Sequence, residues 1–255
     1  MRVVIKVGTS TLAHATGRLN IRLTGELCRV ISDLKNAGNE VILVSSGAIG
    51  MGVGKLALKE KPTDIPTKQA AAAVGQCELM YTYDRLFTEY NHTVAQILLT
   101  GSDFSADDRH ENFNNTLNRL LQLGALPVIN ENDTIATEEI KVGDNDTLSA
   151  LVAASVKADL LVILSDVDGL HSADPHKDEN ATLIKEVAAI TEETLALAGG
   201  AGSALGTGGM KTKLKAACIC AESGCETVIA NGENPEILYD IVAGKQGNYT
   251  RFLAK

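Results

Sequence analysis

Apolar residues fall into two kinds of run along this 255-residue chain. Short, β-branched and uninterrupted stretches occupy 2–7, 40–45, 93–99, 125–129, 159–165 and 226–230, each bounded by Gly, Asn, Asp or Ser. Because they do not alternate with polar residues, they predict strands covered on both faces, as in parallel sheets. Between them the apolar positions recur with helical spacing over 21–37, 67–90, 113–123, 145–157 and 210–223; Gly38, Gly124 and Gly224 follow three of these segments, and Pro66 precedes another. Alternation of strand and helix predicts an α/β fold with an open, mainly parallel sheet. Residues 134–142 read as a short hairpin insertion and 172–181 as a loop. No internal repeat and no Pro/Ser-rich linker divides the chain, so one domain over 1–255 is expected.

Composition narrows the partners. The chain holds 45% hydrophobic and 4% aromatic residues with no Trp, which predicts an aliphatic core and argues against a surface for stacking nucleic-acid bases. Lys and Arg number 23 against 32 Asp and Glu, a net charge of -9, which opposes binding of extended polyanions. An anionic ligand must therefore meet a few placed lysines and backbone amides. Five cysteines, with no CxxC pair, read as reduced thiols. With no leader and no long apolar stretch, a cytoplasmic protein without membrane contact is expected.

In sheets of this kind ligands gather at the carboxyl ends of the strands, and the junctions there are rich in chemistry. Lys6 closes the first strand and is followed by Gly8, Thr9 and Ser10, a lysine beside amides that can approach an anion. Ser46 opens the small-residue stretch SGAIGMG, which suits a compact ligand or a tight turn. Its neighbour GMGVG, from Gly50 to Gly54, falls one residue short of a dinucleotide fingerprint. Asn130, Asn132, Asp133, Asp144, Asn145 and Asp146 crowd amides and carboxylates at the end of the fourth strand, where cations are needed to relieve repulsion. Ser165, Asp166 and Asp168 end the fifth. Residues 199–209 hold six glycines in eleven positions and lead into Met210, Lys211, Thr212 and Lys213, a loop suited to lying over phosphates at a helix start. The histidines, among them His171, show no metal spacing and read as surface residues.

Taken together, KVGTS, VSSGAIGMG, VINENDT, GDNDTLSA, LSDVDGL and GTGGMKTKLKAA resemble the amino acid kinase family and, within it, the glutamate kinase branch. The resemblance implies a three-layer α/β/α sandwich. It also implies transfer of the γ-phosphoryl group of ATP, with Mg²⁺, to the γ-carboxylate of L-glutamate, the first step of proline biosynthesis. By that resemblance Lys6 and Lys213 neutralise the transferring group, Asp146 orients both lysines, and Gly8 donates its N–H. Ser46, Asp133 and Asn145 would hold glutamate; Ser165, Asp166, Thr207, Gly208, Gly209, Met210, Lys211, Thr212 and Lys213 would hold the nucleotide, with no dedicated metal-ligand set. Homo-oligomers and feedback inhibition by proline are further implications. The alternatives are a kinase for a related carboxylate such as N-acetylglutamate, or a sensor that binds without turnover. Two departures stand out: the length matches a kinase domain without the RNA-binding-type C-terminal module many relatives carry, and His171 replaces a more usual Tyr.

Overall fold

A computed structural model describes residues 1–14, 18–136, 142, 144–173, 178, 180–197 and 209–255. The chain runs β1 (Arg2–Val7), α1 (Thr9–Leu12), α2 (Ile21–Asn36), β2 (Glu40–Ser45), α3 (Ala48–Lys55), α4 (Ile65–Thr88), β3 (Val94–Leu99), α5 (Ser102–Ser105), α6 (Asp107–Gln122), β4 (Leu126–Glu131), α7 (Asn145–Ser155), β5 (Leu160–Ser165), β6 (Glu186–Val187), α8 (Glu192–Ala196), α9 (Met210–Glu222), β7 (Glu226–Asn231), α10 (Ile237–Val242) and β8 (Tyr249–Phe252). The strands form one sheet in the order β3-β4-β2-β1-β5-β7-β8-β6. All pairings are parallel except β7 with β8.

The uninterrupted apolar runs follow from helices on both faces. Val3, Ile5 and Val7 face a core shared with Leu27 and Ile31 of α2, Leu79 and Tyr83 of α4, and Leu238 and Ile241 of α10. Val4 faces the opposite core, shared with Leu117 of α6, Leu148 and Val152 of α7, and Leu214 and Ala217 of α9. Strand residues alternate faces, so Lys6 lies on the side of α7 and α9. β3 departs from the expectation of burial on both sides: as the sheet's outermost strand it is mostly half-buried.

Helix starts obey local chemistry. Asn20, Asp64 and Asp144 each accept a backbone N–H from the first turn of α2, α4 and α7. The structure adds elements that apolar patterning does not reveal. Residues 48–55, read as a cradle or turn, form α3, although three of its eight residues are glycine. Packing against α4 overrides that poor propensity. A Cβ on Gly75 of α4 would lie 1.7 Å from the Ala48 carbonyl oxygen, and one on Gly52 would lie 1.8 Å from that of Ala71. These glycines let two helix backbones touch. The short β6 and the antiparallel β8, which completes the sheet with Tyr249 and Phe252 buried, carry too few residues for a periodic signal. Thr134 and Ile135 lie in a turn with no strand, and the rest of the expected hairpin lies largely outside the described residues.

Candidate active site

At the carboxyl ends of β1, β2, β4 and β5 the chain leaves a cleft of about 360 Å³. Lys6, Gly8, Ser46, Asp133, Asn145, Asp146, Ser165, Asp166 and Lys213 all line it. The register explains the convergence: Lys6 is level with Val44 and Ile163, and Val7 with Ser45 and Leu164, so the three strands end at one edge of the sheet.

One wall is built on charge. Asp146, in the first turn of α7 and 1% exposed, receives Lys6 Nζ at 2.7 Å on Oδ1 and Lys213 Nζ at 3.2 Å on Oδ2. Thr212 Oγ1 donates to the same Oδ2 at 2.8 Å. Both lysines are more than nine-tenths buried. Burial pushes the Asp146 carboxyl up, but Lys6, then Lys213, and hydrogen bonds from Lys6 and Thr212 outweigh it and hold the group below its ordinary value of 3.8. Asp146 thereby sets two ammonium groups side by side at the cleft, where the oxygens of an incoming phosphoryl group can meet them.

The other wall is held together by neutral amides and hydroxyls. Asn145 Nδ2 donates to Ser46 Oγ at 2.7 Å and to Asn130 Oδ1 at 3.0 Å. Asn130 Nδ2 in turn donates to Gln76 Oε1 at 2.9 Å. Beneath them the buried Tyr83 hydroxyl and Ser45 Oγ share a hydrogen bond of 2.7 Å. Gly47, at φ +108°, turns the chain from β2 into α3 through a conformation that side chains rarely adopt, so Ser46 stays at the cleft floor. Asp144, also on the cleft, accepts Thr147 N at 2.7 Å and Thr147 Oγ1 at 2.9 Å. It caps α7 and thereby sets the positions of Asn145 and Asp146.

The nucleotide-side expectations separate. Ser165 Oγ donates to Asp166 Oδ1 at 3.0 Å on the cleft wall. Gly209 caps the start of α9, while Met210 packs against the core and Lys211 is exposed and, among the described residues, does not line the cleft. Thr212 is spent on Asp146 and the Gly209 carbonyl. Thr207 and Gly208 lie outside the described residues.

Among the lining residues that sequence reasoning did not single out are Lys61, Lys68 and Glu131. Glu131 Oε1 accepts the backbone N–H of Val142 at 2.7 Å, tying the chain before α7 to β4. A signal for Lys68 exists: a lysine in the first turn of α4 opposes the helix dipole, which is unfavourable unless an anion is near. The five cysteines are free, with Cys28, Cys220 and Cys225 buried.

A mainly parallel sheet between two helical layers, with paired lysines at its carboxyl edge, defines a phosphoryl-transfer class, and the family comparison agrees. The model described as "Amino acid kinase family" matches residues 1–231, and the chain belongs to that family. The glutamate 5-kinase of Clostridium acetobutylicum is 56% identical over 94% of this chain and 90% of its own length. That of Clostridium perfringens is 52% identical over 100% and 96%. Among solved structures, the carbamate kinase from Giardia lamblia bound to AMP-PNP superposes with a TM-score of 0.71 at 17% identity, covering 100% of this chain and 98% of that one. The UMP kinase from Ureaplasma parvum does so at 0.69 and 17%, covering 99% and 98%. At that identity the structures speak for the fold alone. No helix among the described residues is long and apolar enough to cross a membrane.

Proposed function

We propose that this chain is an ATP-dependent glutamate 5-kinase, acting as one unit over residues 1–255 in the cytoplasm, where its free thiols stay reduced. The observation that carries the reading is the Lys6–Asp146–Lys213 bridge set beside a polar wall of Ser46, Asn145 and Asp133. A γ-carboxylate oxygen of glutamate attacks the γ-phosphorus of ATP in line; the new O–P bond forms as the bond to the bridging oxygen breaks, and ADP leaves with that electron pair. The carboxylate is already anionic, so no general base is required. The protein's part is positioning and charge neutralisation.

In this assignment Lys6, Lys213 and the Gly8 N–H meet the oxygens of the transferring group, and Asp146 holds both ammonium groups at the spacing they need. Asp133 pairs with the substrate ammonium, and Ser46 with Asn145 fixes the amino-acid head. Ser165, Asp166 and the segment from Thr207 to Lys213 accept the nucleotide.

Mg²⁺ fits this donor set as a companion of the triphosphate. It keeps phosphate and water ligands and needs only one or two carboxylates, and Asp166 is an exposed carboxylate on the cleft wall. When bound, it neutralises charge on the phosphates.

Self-association and proline inhibition belong to the same proposal. Ala70, Ala73, Cys77 and Tyr81 make an exposed, mostly apolar stripe along α4, suited to a second copy. Sedimentation of the wild type against Tyr81→Glu tests the first, and a proline titration of activity tests the second. The deciding experiment is ADP release with ATP, Mg²⁺ and a panel of L-glutamate, N-acetylglutamate, carbamate and UMP. Turnover with glutamate alone is expected; turnover only with another acceptor would reassign the substrate.

A further inference from the structure

The acceptor wall contains a side chain that touches the cleft only through others. Gln76 lies on α4, is 8% exposed, and is not among the residues lining the cleft. Its Oε1 accepts from Asn130 Nδ2 at 2.9 Å. Its own Nε2 is buried with no hydrogen-bond partner among the described residues. A buried amide that leaves its donor unsatisfied is unfavourable compared with an apolar residue of the same shape, so its retention at this position needs a reason.

The reason lies in a chain of amides with a single polarity. The backbone N–H of Glu131 donates to Asn130 Oδ1 at 2.9 Å, which fixes that atom as an acceptor. The atom Asn145 presents to it must then be the donor Nδ2, and the 3.0 Å contact is of that kind. Asn145 Oδ1 is consequently turned away, buried, and without a hydrogen-bond partner among the described residues. On its other side Asn130 Nδ2 needs an acceptor, and Gln76 Oε1 is the acceptor it finds. With both ends anchored, Asn130 cannot rotate, and Asn145 keeps Nδ2 directed at Ser46 Oγ, which as an acceptor there has its own O–H left to donate into the cleft.

We infer that Gln76 is a positioning residue for the acceptor substrate: by pinning Asn130 it fixes Asn145, whose Nδ2 holds Ser46 Oγ on the cleft with its O–H left to donate to the substrate's amino-acid head. This rests on the glutamate reading above. It predicts that Gln76 governs recognition of the acceptor and leaves the phosphoryl side untouched.

The test compares Gln76→Met, which keeps shape and removes the acceptor, with Gln76→Glu, which keeps an acceptor oxygen. In Gln76→Met the KM for L-glutamate should rise about tenfold, the effect of losing roughly one well-placed hydrogen bond to substrate, with kcat and the KM for ATP unchanged. Gln76→Glu should recover most of that loss. Adding Gln76→Met to Asn130→Ala should raise KM no further, because the path already lacks its middle member. An unchanged glutamate KM in Gln76→Met, a parallel loss of kcat and ATP affinity, or full additivity with Asn130→Ala would overturn the inference. Failure of the wild type to phosphorylate glutamate would instead overturn the functional reading on which it rests.

Discussion

The two walls of the cleft solve different problems with different materials. The wall formed by β1, α7 and α9 is a buried ion bridge of two lysines on one carboxylate, supported by the Thr212 hydroxyl. The wall formed by β2, β4, α4 and Asn145 at the start of α7 is held by a series of neutral amides and hydroxyls in which what matters is the direction of each donor. Charges act strongly over distance, so the first wall suits a transition state that accumulates negative oxygen. Hydrogen-bond polarity acts only at contact, so the second suits selection of one substrate. Mutations in the first wall should therefore appear in kcat and stability, and those in the second chiefly in the glutamate KM.

The largest effect belongs to Asp146. Asp146→Asn leaves two lysines, each more than nine-tenths buried, without their common counter-charge, a change that costs about 3–5 kcal/mol when one partner of a buried pair is removed. Urea unfolding should show that loss, and kcat should fall at least a hundredfold. The pH dependence follows from the lowered carboxyl. Its folded-state value lies below the ordinary 3.8, so the stabilisation is complete above that value and disappears as pH falls through the folded value. The stability gap between wild type and Asp146→Asn should be constant from neutral pH to about pH 5 and close only below 3.8. A gap that closed near neutrality would mean that a different group titrates.

Next come the lysines. Lys6→Met and Lys213→Met each remove a cation aimed at the developing charge, and kcat should drop roughly 10² to 10³-fold, as for deletion of one preorganised donor. The glutamate KM should change less than threefold. If either variant raised KM and spared kcat, the division of labour between the walls would fail at that residue.

The walls also differed in how much of them the sequence discloses. Lys6, Asp146 and Lys213 each stand at a strand end or helix start, and a lysine inside a buried strand demands a counter-charge, so all three were visible as candidates. The amide wall was half visible: Ser46, Asn130 and Asn145 lie in polar junctions, but Gln76 sits inside a long Ala-rich helix, where nothing in the local pattern sets it apart. Its meaning comes from a partner 54 residues away. The same limit explains α3. Glycines in SGAIGMGVG look like a ligand cradle because the chain that needs the space, α4 at Ala71 and Gly75, is distant in sequence. Main strands were legible because two helical layers impose an unbroken apolar run, whereas β6 and β8 draw their identity from neighbours already in place.

That helix crossing supplies a prediction of intermediate size. Gly75→Ala places a methyl 1.7 Å from the Ala48 carbonyl oxygen and 2.4 Å from the Gly52 nitrogen, so α3 must move away from α4. Overpacking of this kind costs about 1–3 kcal/mol. Because Ala48 follows Ser46 and Gly47 directly, the glutamate KM should rise several-fold while kcat is retained. Gly54→Ala, on the same α3 with no atom within 4 Å of the new methyl, should instead gain roughly 0.5–1 kcal/mol from helix propensity. Equal destabilisation of both variants in a thermal melt would remove the crossing from the explanation.

The smallest effect tests whether the neutral wall acts as a rigid block or through one defined path. Tyr83 is fully buried, and its hydroxyl meets Ser45 Oγ one residue before Ser46. Tyr83→Phe deletes that contact but leaves Ser45 Oγ its bond to the Ser46 carbonyl at 3.1 Å, so no donor is stranded and the loss should be about 1 kcal/mol. Ser46 Oγ remains held by Asn145 from the cleft side, which means the path from Gln76 through Asn130 and Asn145 is intact. The glutamate KM should accordingly stay within about twofold of wild type, well short of the rise expected for Gln76→Met. Equal KM increases in the two variants would show that selection depends on overall rigidity behind Ser46, and direction of the amides would then have no separate role.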